Sequence, residues 1–534
     1  MSGFGTASKA TLEADEIFPG IHARPVDLLD VRKRRAQRRD GGTIHARLHH
    51  WNEQIFSAGR WRRQVFFAVA SLIATCSYCP SIASAQDTAK DNTAQTAPER
   101  PKIRADRRSE EDWSVLADPK VAREPLDGLK YIPLDPANPK IYLSLGVNLR
   151  ERFELDHARF FGTPPGESGQ WILSRLEWHA DLRLGNHVQI FTQFQNAVAP
   201  GKTKLAPVDQ DRLDVEQAFI GLTEPVARGT LRLRLGRQVV AIEFQRFASV
   251  REGPNLRQSY DAALADYERG RWHIIGAYEQ PVQTQDVHPF DDYSNHHLTL
   301  SGVKVQRRLS GSTQLSVYYA NYRHDAATFT SVTGNERRNI VDIRTSGAIK
   351  GLDWDVEGMN QSGSIGAQTI QAKAFGSSVG YTLADVRWKP RMGLAVDVAT
   401  GDHDPSDNRL ETFNPLFPNG YYLADYTGFP NLIHVKPALT VHPAPAVSVT
   451  AAVAGQWRET TADAVYVFPN FPLPGTVGVP GRYTGTYGEF RGDWTVTPHY
   501  ALAFDAVHYA IGTAIRQAGG RDANYLGVQV SYGW

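Results

Sequence analysis

The chain of 534 residues has two cysteines, three methionines and almost no net charge, with 58 basic side chains against 57 acidic ones. The cysteines, Cys76 and Cys79, stand three apart, which excludes a disulfide framework and a four-cysteine zinc site. No apolar run reaches the roughly 20 residues that a membrane helix needs, so a helical membrane bundle is excluded. The balanced charge gives no support to a nucleic-acid partner, which calls for a strongly basic face. Hydrophobic residues at 41% and aromatics at 10% are too plentiful for a disordered chain. The length exceeds one ordinary soluble core, leaving several domains or one large barrel.

What is present begins with an export signal. Arg60, Arg62 and Arg63 precede an apolar run from Val65 to Thr75, and Ala83-Ser84-Ala85 follows it. A positive flank, a short apolar stretch and a small-residue cleavage site make residues 60–85 a signal peptide cleaved near Ala85. Thr75 and Tyr78 stand before the cysteines, where a lipoprotein would carry a small residue. Residues 1–59 hold a basic run (Arg32, Lys33, Arg34, Arg35, Arg38, Arg39) without apolar periodicity, and we expect them to be an over-extended start. Removing residues 1–85 takes away 12 basic and 7 acidic side chains and leaves 46 and 50, a net charge of −4 with no cysteine. Such a chain suits an oxidising periplasm. Residues 86–130 form a polar periplasmic segment, its first 40 residues expected to be an unpacked tail.

From Ile141 onward the dominant period is two. In Ile141–Arg150 the odd positions are Ile, Leu or Val. Ile172, Leu176, Trp178, Ala180, Leu182 and Leu184 share one face, with Arg175, Glu177, His179, Asp181 and Arg183 on the other. Val188, Ile190 and Phe194 oppose Gln189, Gln193 and Gln195; Leu231, Leu233 and Leu235 oppose Arg232 and Arg234. Similar segments lie near 271–280, 297–307, 313–322, 338–347, 368–379, 391–400, 446–457, 486–496 and 500–510. Alternation bounded by Gly, Pro, Asn and Asp predicts antiparallel strands. A second face so rich in Arg and Glu fits a lumen, with the apolar face toward lipid. Lipid forbids an open sheet edge, so the sheet must close. Leu526, Val528, Val530, Tyr532 and Trp534 share the outward face of the last strand, an aromatic ending of the kind that barrel-assembly machinery recognises.

Longer motifs point further. They are Glu111-Asp112-Trp113-Ser114, Leu129-Lys130-Tyr131-Ile132-Pro133-Leu134, Asp209-Gln210-Asp211-Arg212-Leu213-Asp214 with Gln217-Ala218-Phe219, and Leu235-Gly236-Arg237-Gln238. Ser249-Val250-Arg251-Glu252-Gly253-Pro254-Asn255 follows, then Gly401-Asp402-His403-Asp404-Pro405, Thr412-Phe413-Asn414-Pro415-Leu416-Phe417-Pro418, Asn431-Leu432-Ile433, Arg482-Tyr483 and Gly485-Thr486. This string resembles the alginate export family of outer-membrane channels over about residues 110–534. The resemblance implies an all-β fold: one monomeric transmembrane antiparallel β-barrel of about 18 strands spanning residues 131–534, with long extracellular loops. It also implies a bacterial outer-membrane location and passive transport of an anionic polysaccharide such as alginate.

A channel for an acidic polymer needs fixed positive charge held by acidic partners, and arginine supplies it in every relevant pH range. The candidate pore-lining residues are Arg150, Arg152, Arg175, Arg237, Arg251 and Arg257. Glu154, Glu177, Asp211, Asp214, Glu216 and Glu252 are the expected counter-charges. No enzyme, cofactor or metal site is expected; near Asp402 and Asp404, where Asp407 and Asn408 follow but the Gly and Glu of a calcium loop do not, the expectation is a solvated turn, with a structural calcium site as the alternative. Gly376-Ser377-Ser378-Val379-Gly380 matches a nucleophile elbow in letters yet lies inside a strand pattern. Trp171 is expected on the lumen face, where it could stack on a sugar. The alternatives are a porin for another small solute and, from other classes, an outer-membrane hydrolase or a surface receptor. Partners beyond the solute are outer-membrane lipid and the assembly machinery that reads the Trp534 strand.

Overall fold

The computed structural model describes residues 99–164, 166–240, 251–417 and 426–534. The expected extension at 1–59, the signal peptide at 60–85, residues 86–98 and motif positions Ser249, Val250 and Pro418 lie outside the described residues.

Eighteen long strands follow one another around a closed wall, each hydrogen-bonded antiparallel to its neighbours in sequence. We number them β1 (Ile141–His157), β2 (Gly169–Leu184), β3 (Val188–Val198), β4 (Asp211–Val226), β5 (Gly229–Gln238), β6 (Tyr260–Arg269), β7 (Trp272–Gln283), β8 (Leu298–Ser310) and β9 (Thr313–Thr328). The second half comprises β10 (Thr333–Ile349), β11 (Leu352–Ile365), β12 (Gln368–Thr382), β13 (Arg391–Ala399), β14 (Leu432–Ala444), β15 (Val447–Trp457), β16 (Tyr483–Thr495), β17 (Tyr500–Ile511) and β18 (Ala523–Gly533). β1 pairs with β18 from Asn148↔Gly533 to His157↔Asn524, which closes the barrel. Three two-residue strands, Ile132–Pro133, Tyr293–Ser294 and Arg409–Leu410, attach to this wall. No helix among the described residues is long and apolar enough to cross a membrane.

Burial follows the sequence alternation. Along β2, Ile172, Leu176, Trp178 and Leu184 face outward while Arg175, Glu177, His179 and Asp181 are buried inward. One end of the barrel carries tight turns such as 227–228, 270–271, 311–312, 350–351 and 445–446. The other end carries most of the long connections, 199–210, 239–259, 284–297, 400–431 and 458–482. In outer-membrane barrels short turns face the periplasm and long loops the exterior, and the described N-terminal segment and the last strand both sit at the short-turn end.

Four strands went unanticipated: β4, β6, β11 and β14. In β6 the outward positions include Ala263 and Ala265, and in β11 they include Gly358, Asn360, Ser362 and Ser364, so the apolar signal is weak. Pro437 and Pro443 interrupt β14, and proline counts against a strand in any sequence reading.

The expectation of an unpacked tail does not hold for residues 103–125. Trp113, Leu116 and Val121 bury against Tyr142 of β1, with Ile103, Val115 and Tyr131 around them. Arg108 donates from Nη2 to the Trp534 carbonyl oxygen at 2.6 Å, and Arg183 reaches the Ser109 carbonyl at 2.6 Å. The Lys130 ammonium lies over the rings of Trp113 and Trp534, at 5.0 and 4.5 Å from their centroids. A polar composition hid this docking, because long cationic stems pack as apolar groups while their heads find partners. Gly146 makes room for it: a Cβ there would meet His179 Cε1 at 2.3 Å and Arg108 Nη2 at 2.4 Å.

Gly146→Leu is therefore expected to unseat residues 103–131 and leave the barrel intact. Limited proteolysis of that segment should quicken by about tenfold, as for a locally opened element, with unchanged heat-modifiable electrophoretic mobility. Gly358→Leu, where no atom lies within 4 Å of the added Cβ, should change neither.

Candidate functional site

Two connections fold back into the barrel and occupy opposite walls. The first is residues 251–257, which leave β5 and reach the inner face of β1 to β4. Asn255 is its peg. Fully buried, it donates from Nδ2 to the carbonyls of Ser174, Val198 and Asp209 at 3.2, 3.1 and 2.9 Å. Arg150 answers with bonds to the Glu252 and Pro254 carbonyls, both at 2.8 Å, and to Asn255 Oδ1 at 3.1 Å. Arg152 holds the Gly253 carbonyl at 2.6 Å.

Side-chain charge completes the anchor. The Glu252 carboxylate contacts Arg175, Arg257 and Arg150. Arg257, buried, spans from Glu252 to Glu177 and to Glu216 at 3.1 Å. Arg175 pairs with Glu177 at 3.0 Å and Arg152 with Glu154 at 2.8 Å. Four predicted arginines thus meet four predicted glutamates in one network, and their formal charges balance. Alternation brings this about: Arg150, Arg152 and Glu154 point inward at every second residue of β1, and Arg175 and Glu177 do so on β2.

The second inward segment is 412–417. Phe413 packs with Leu300, Tyr322, Ile340 and Met359 of the facing wall and with Phe429 of its own connection. Phe417 sits edge-on to Tyr260 at 5.4 Å. Gln361 clamps the segment, donating to the Asn414 carbonyl at 2.6 Å and accepting the Asn414 amide at 3.0 Å, and Arg338 fixes Gln361 at 2.6 Å. Sequence reading quoted this motif without giving its residues a role. The signal available was a run of Pro, Asn and Phe too irregular for a strand.

The remaining predicted residues gather elsewhere. Arg237 binds Asp261 at 3.1 Å, approaches Asp214 at 3.6 Å and donates to the Asp292 carbonyl at 3.3 Å. Asp211 accepts from Gln195 at 3.0 Å. Arg251, with φ of 54°, places its guanidinium 5.8 Å from the ring centre of Phe468. Trp171 is buried, its indole N–H bonded to Glu154 at 2.7 Å and Lys202 over its ring at 5.2 Å. That face is covered by the protein itself. Ser377, in the elbow-like motif, lies within β12 and bonds to the Val396 carbonyl at 3.1 Å.

The exterior loops lock together around Asp463, which accepts from Thr330, Asp402 N, Thr412, Ala464 N and Tyr466 at 2.6–3.0 Å. Asp402 takes a hydrogen bond from Ser331 at 2.9 Å and Asp404 one from the Ser406 amide at 3.0 Å. His403 bridges Glu411, at 2.7 Å, and Glu459, at 3.0 Å.

The family model for alginate export matches residues 141–529, most of the chain and all but the last few residues of the barrel. The chain belongs to the alginate export family. Its fold is also similar to solved structures of low identity. Acinetobacter baumannii OccAB1 aligns with a TM-score of 0.51 at 11% identity, covering 76% of this chain and 98% of that one. Pseudomonas aeruginosa OccD3 (OpdP) aligns with 0.51 at 12%, covering 73% and 91%. The Pseudomonas aeruginosa outer membrane protein opdK aligns with 0.50 at 10%, covering 73% and 99%. No curated protein matches the chain in sequence. Family and fold together make this member of the family an outer-membrane passive channel.

Arg257→Ala is expected to leave Glu216 buried without its cation and Glu177 with Arg175 alone, and to cost about 3–5 kcal/mol, seen as a lowered guanidinium midpoint of unfolding. His403 yields a pH dependence. Its bonds to Glu459 and Glu411 hold its pKa above the usual histidine value. The latch is therefore complete below about pH 6.5 and is lost as pH rises through the raised pKa. Loop proteolysis near 403–411 should accelerate over that window, and His403→Gln should flatten the response.

Proposed function

We propose that this channel carries an anionic polysaccharide such as alginate by passive diffusion, through a constriction framed by Arg150, Arg152, Arg175, Arg237, Arg251 and Arg257. The observation that carries this reading is the inward segment 251–257, seated among arginines on the wall of an alginate export barrel. The arginines act as the frame that fixes how far the segment reaches into the lumen. A cleaved signal at residues 60–85 would deliver the chain, and the β18 strand ending in Trp534 suits recognition by assembly machinery. The chain acts as a monomer.

One observation favours a second reading. Arg150, Arg152, Arg175 and Arg257 are balanced by Glu154, Glu177, Glu216 and Glu252, so the cluster brings little net field to an anion. A porin for another small solute fits that balance.

Single-channel conductance of the refolded chain in planar bilayers separates the two. Anion selectivity, block by added polyuronate and at least a severalfold weaker block in Arg251→Ala would support polysaccharide transport. Cation selectivity, or indifference to polyuronate, would overturn it in favour of the small-solute porin.

A further inference from the structure

The start of β4 and the loop 284–297 meet in a group of carboxylates that no described interaction neutralises in full. Asp211, Asp214 and Asp292 each offer an oxygen, and these three oxygens lie within 4.8 Å of one another. Asp211 and Asp214 are buried. The nearest cation, Arg237, stands 3.6 Å from Asp214 and is shared with Asp261. Four carboxylates thus face one guanidinium, and carboxylates packed so closely away from water repel one another strongly.

A second observation points to a missing partner. The Gln195 side chain, 97% buried, reaches into the group and donates from Nε2 to Asp211 at 3.0 Å. Its carbonyl oxygen has no hydrogen-bond donor. A buried amide oxygen left without a partner costs about 1–3 kcal/mol. Carboxylate oxygens plus an amide carbonyl are the ligands that a hard divalent cation takes, and calcium tolerates the irregular geometry they present here.

We infer that Asp211, Asp214, Asp292 and the Gln195 carbonyl form a calcium site that ties the loop 284–297 to the wall at β4. The loop is already laid across that wall: Arg212 and Gln210 bind Asp286, at 2.9 and 2.7 Å, and the Phe290 amide donates to the Leu213 carbonyl at 3.0 Å. The ion adds two positive charges where the excess negative charge sits. The proposal does not depend on which solute passes.

The test uses the refolded full barrel in detergent, titrated with calcium chloride by calorimetry and by thermal unfolding. One site per chain is expected, with a Kd on the order of 0.1–1 mM, as for exterior calcium modules. Millimolar calcium should raise the Tm. Asp214→Asn with Asp292→Asn should weaken binding by about tenfold or more, and in chelator that variant should be no less stable than the parent, since the repulsion is gone. Gln195→Leu, which keeps all three carboxylates, should weaken binding as well. Asp402→Asn with Asp404→Asn should leave it unchanged. Absence of binding at about 10 mM calcium, equal binding by parent and the Asp214/Asp292 variant, or loss of binding only in the Asp402/Asp404 variant would each overturn the proposal.

Discussion

A backbone amide inside a lipid bilayer has no water to bond, and this one constraint governs the molecule. It requires every strand to have two partners, and the chain meets it by bringing Asn148–His157 against Asn524–Gly533 after nearly four hundred intervening residues. The seam is finished by a reciprocal pair, Val147 N to Trp534 O at 2.7 Å and Trp534 N to Val147 O at 2.8 Å. Closure then separates two environments with opposite demands. The outer face favours apolar groups at membrane height. The inner face is free to hold charge, provided each charge finds a partner.

The lumen meets that provision with pairs rather than with isolated ions. The Arg257 network, Arg338 with Glu336, Arg344 with Asp355 and Lys436 with Glu489 all join inward positions. An ion pair in such a place is weak evidence for stability, but breaking one is costly, because the survivor stays buried. The arginines of β1 and β2 spend their donors on the carbonyls of residues 252–255. Arginine suits this task better than lysine, since its planar fork can grip two acceptors at once. A charge that looked like a filter in the sequence is thus also a clamp.

Period two made the wall legible. An inward Arg or Glu beside an outward Leu or Ile, as at Arg175 and Leu176, identifies both faces at once, and the strand total followed from the family resemblance. The wall was illegible where the outward residue was small or polar, as in β11, or where proline intervened, as in β14. Six of the twelve predicted site residues, Arg150, Arg152, Glu154, Arg175, Glu177 and Glu216, converge from the wall on residues 251–257 because alternation turns them to the lumen, and Glu252 and Arg257 meet them from within that segment. Which loop meets them was not readable. Contacts such as Asn255 to Ser174, 81 residues apart, depend on where a connection folds back, and no local periodicity records that. The packing of residues 103–131 escaped for a related reason: its few apolar groups are spaced for irregular turns, and its cations do the covering.

Arg108 and Trp534 stand 426 residues apart, yet the bond between them joins the segment ahead of the barrel to the residue just past its last strand. The surface on which residues 103–131 rest is composed of Tyr142, Arg183 and Trp534, drawn from β1, β2 and the residue just past β18. It is complete only when the first strand has met the last, a contact of high sequence separation whose loop-closure cost falls due before it forms. The segment is in effect a keystone: it can be set only once the ring stands, and its seating distinguishes a finished barrel from one still open at the seam.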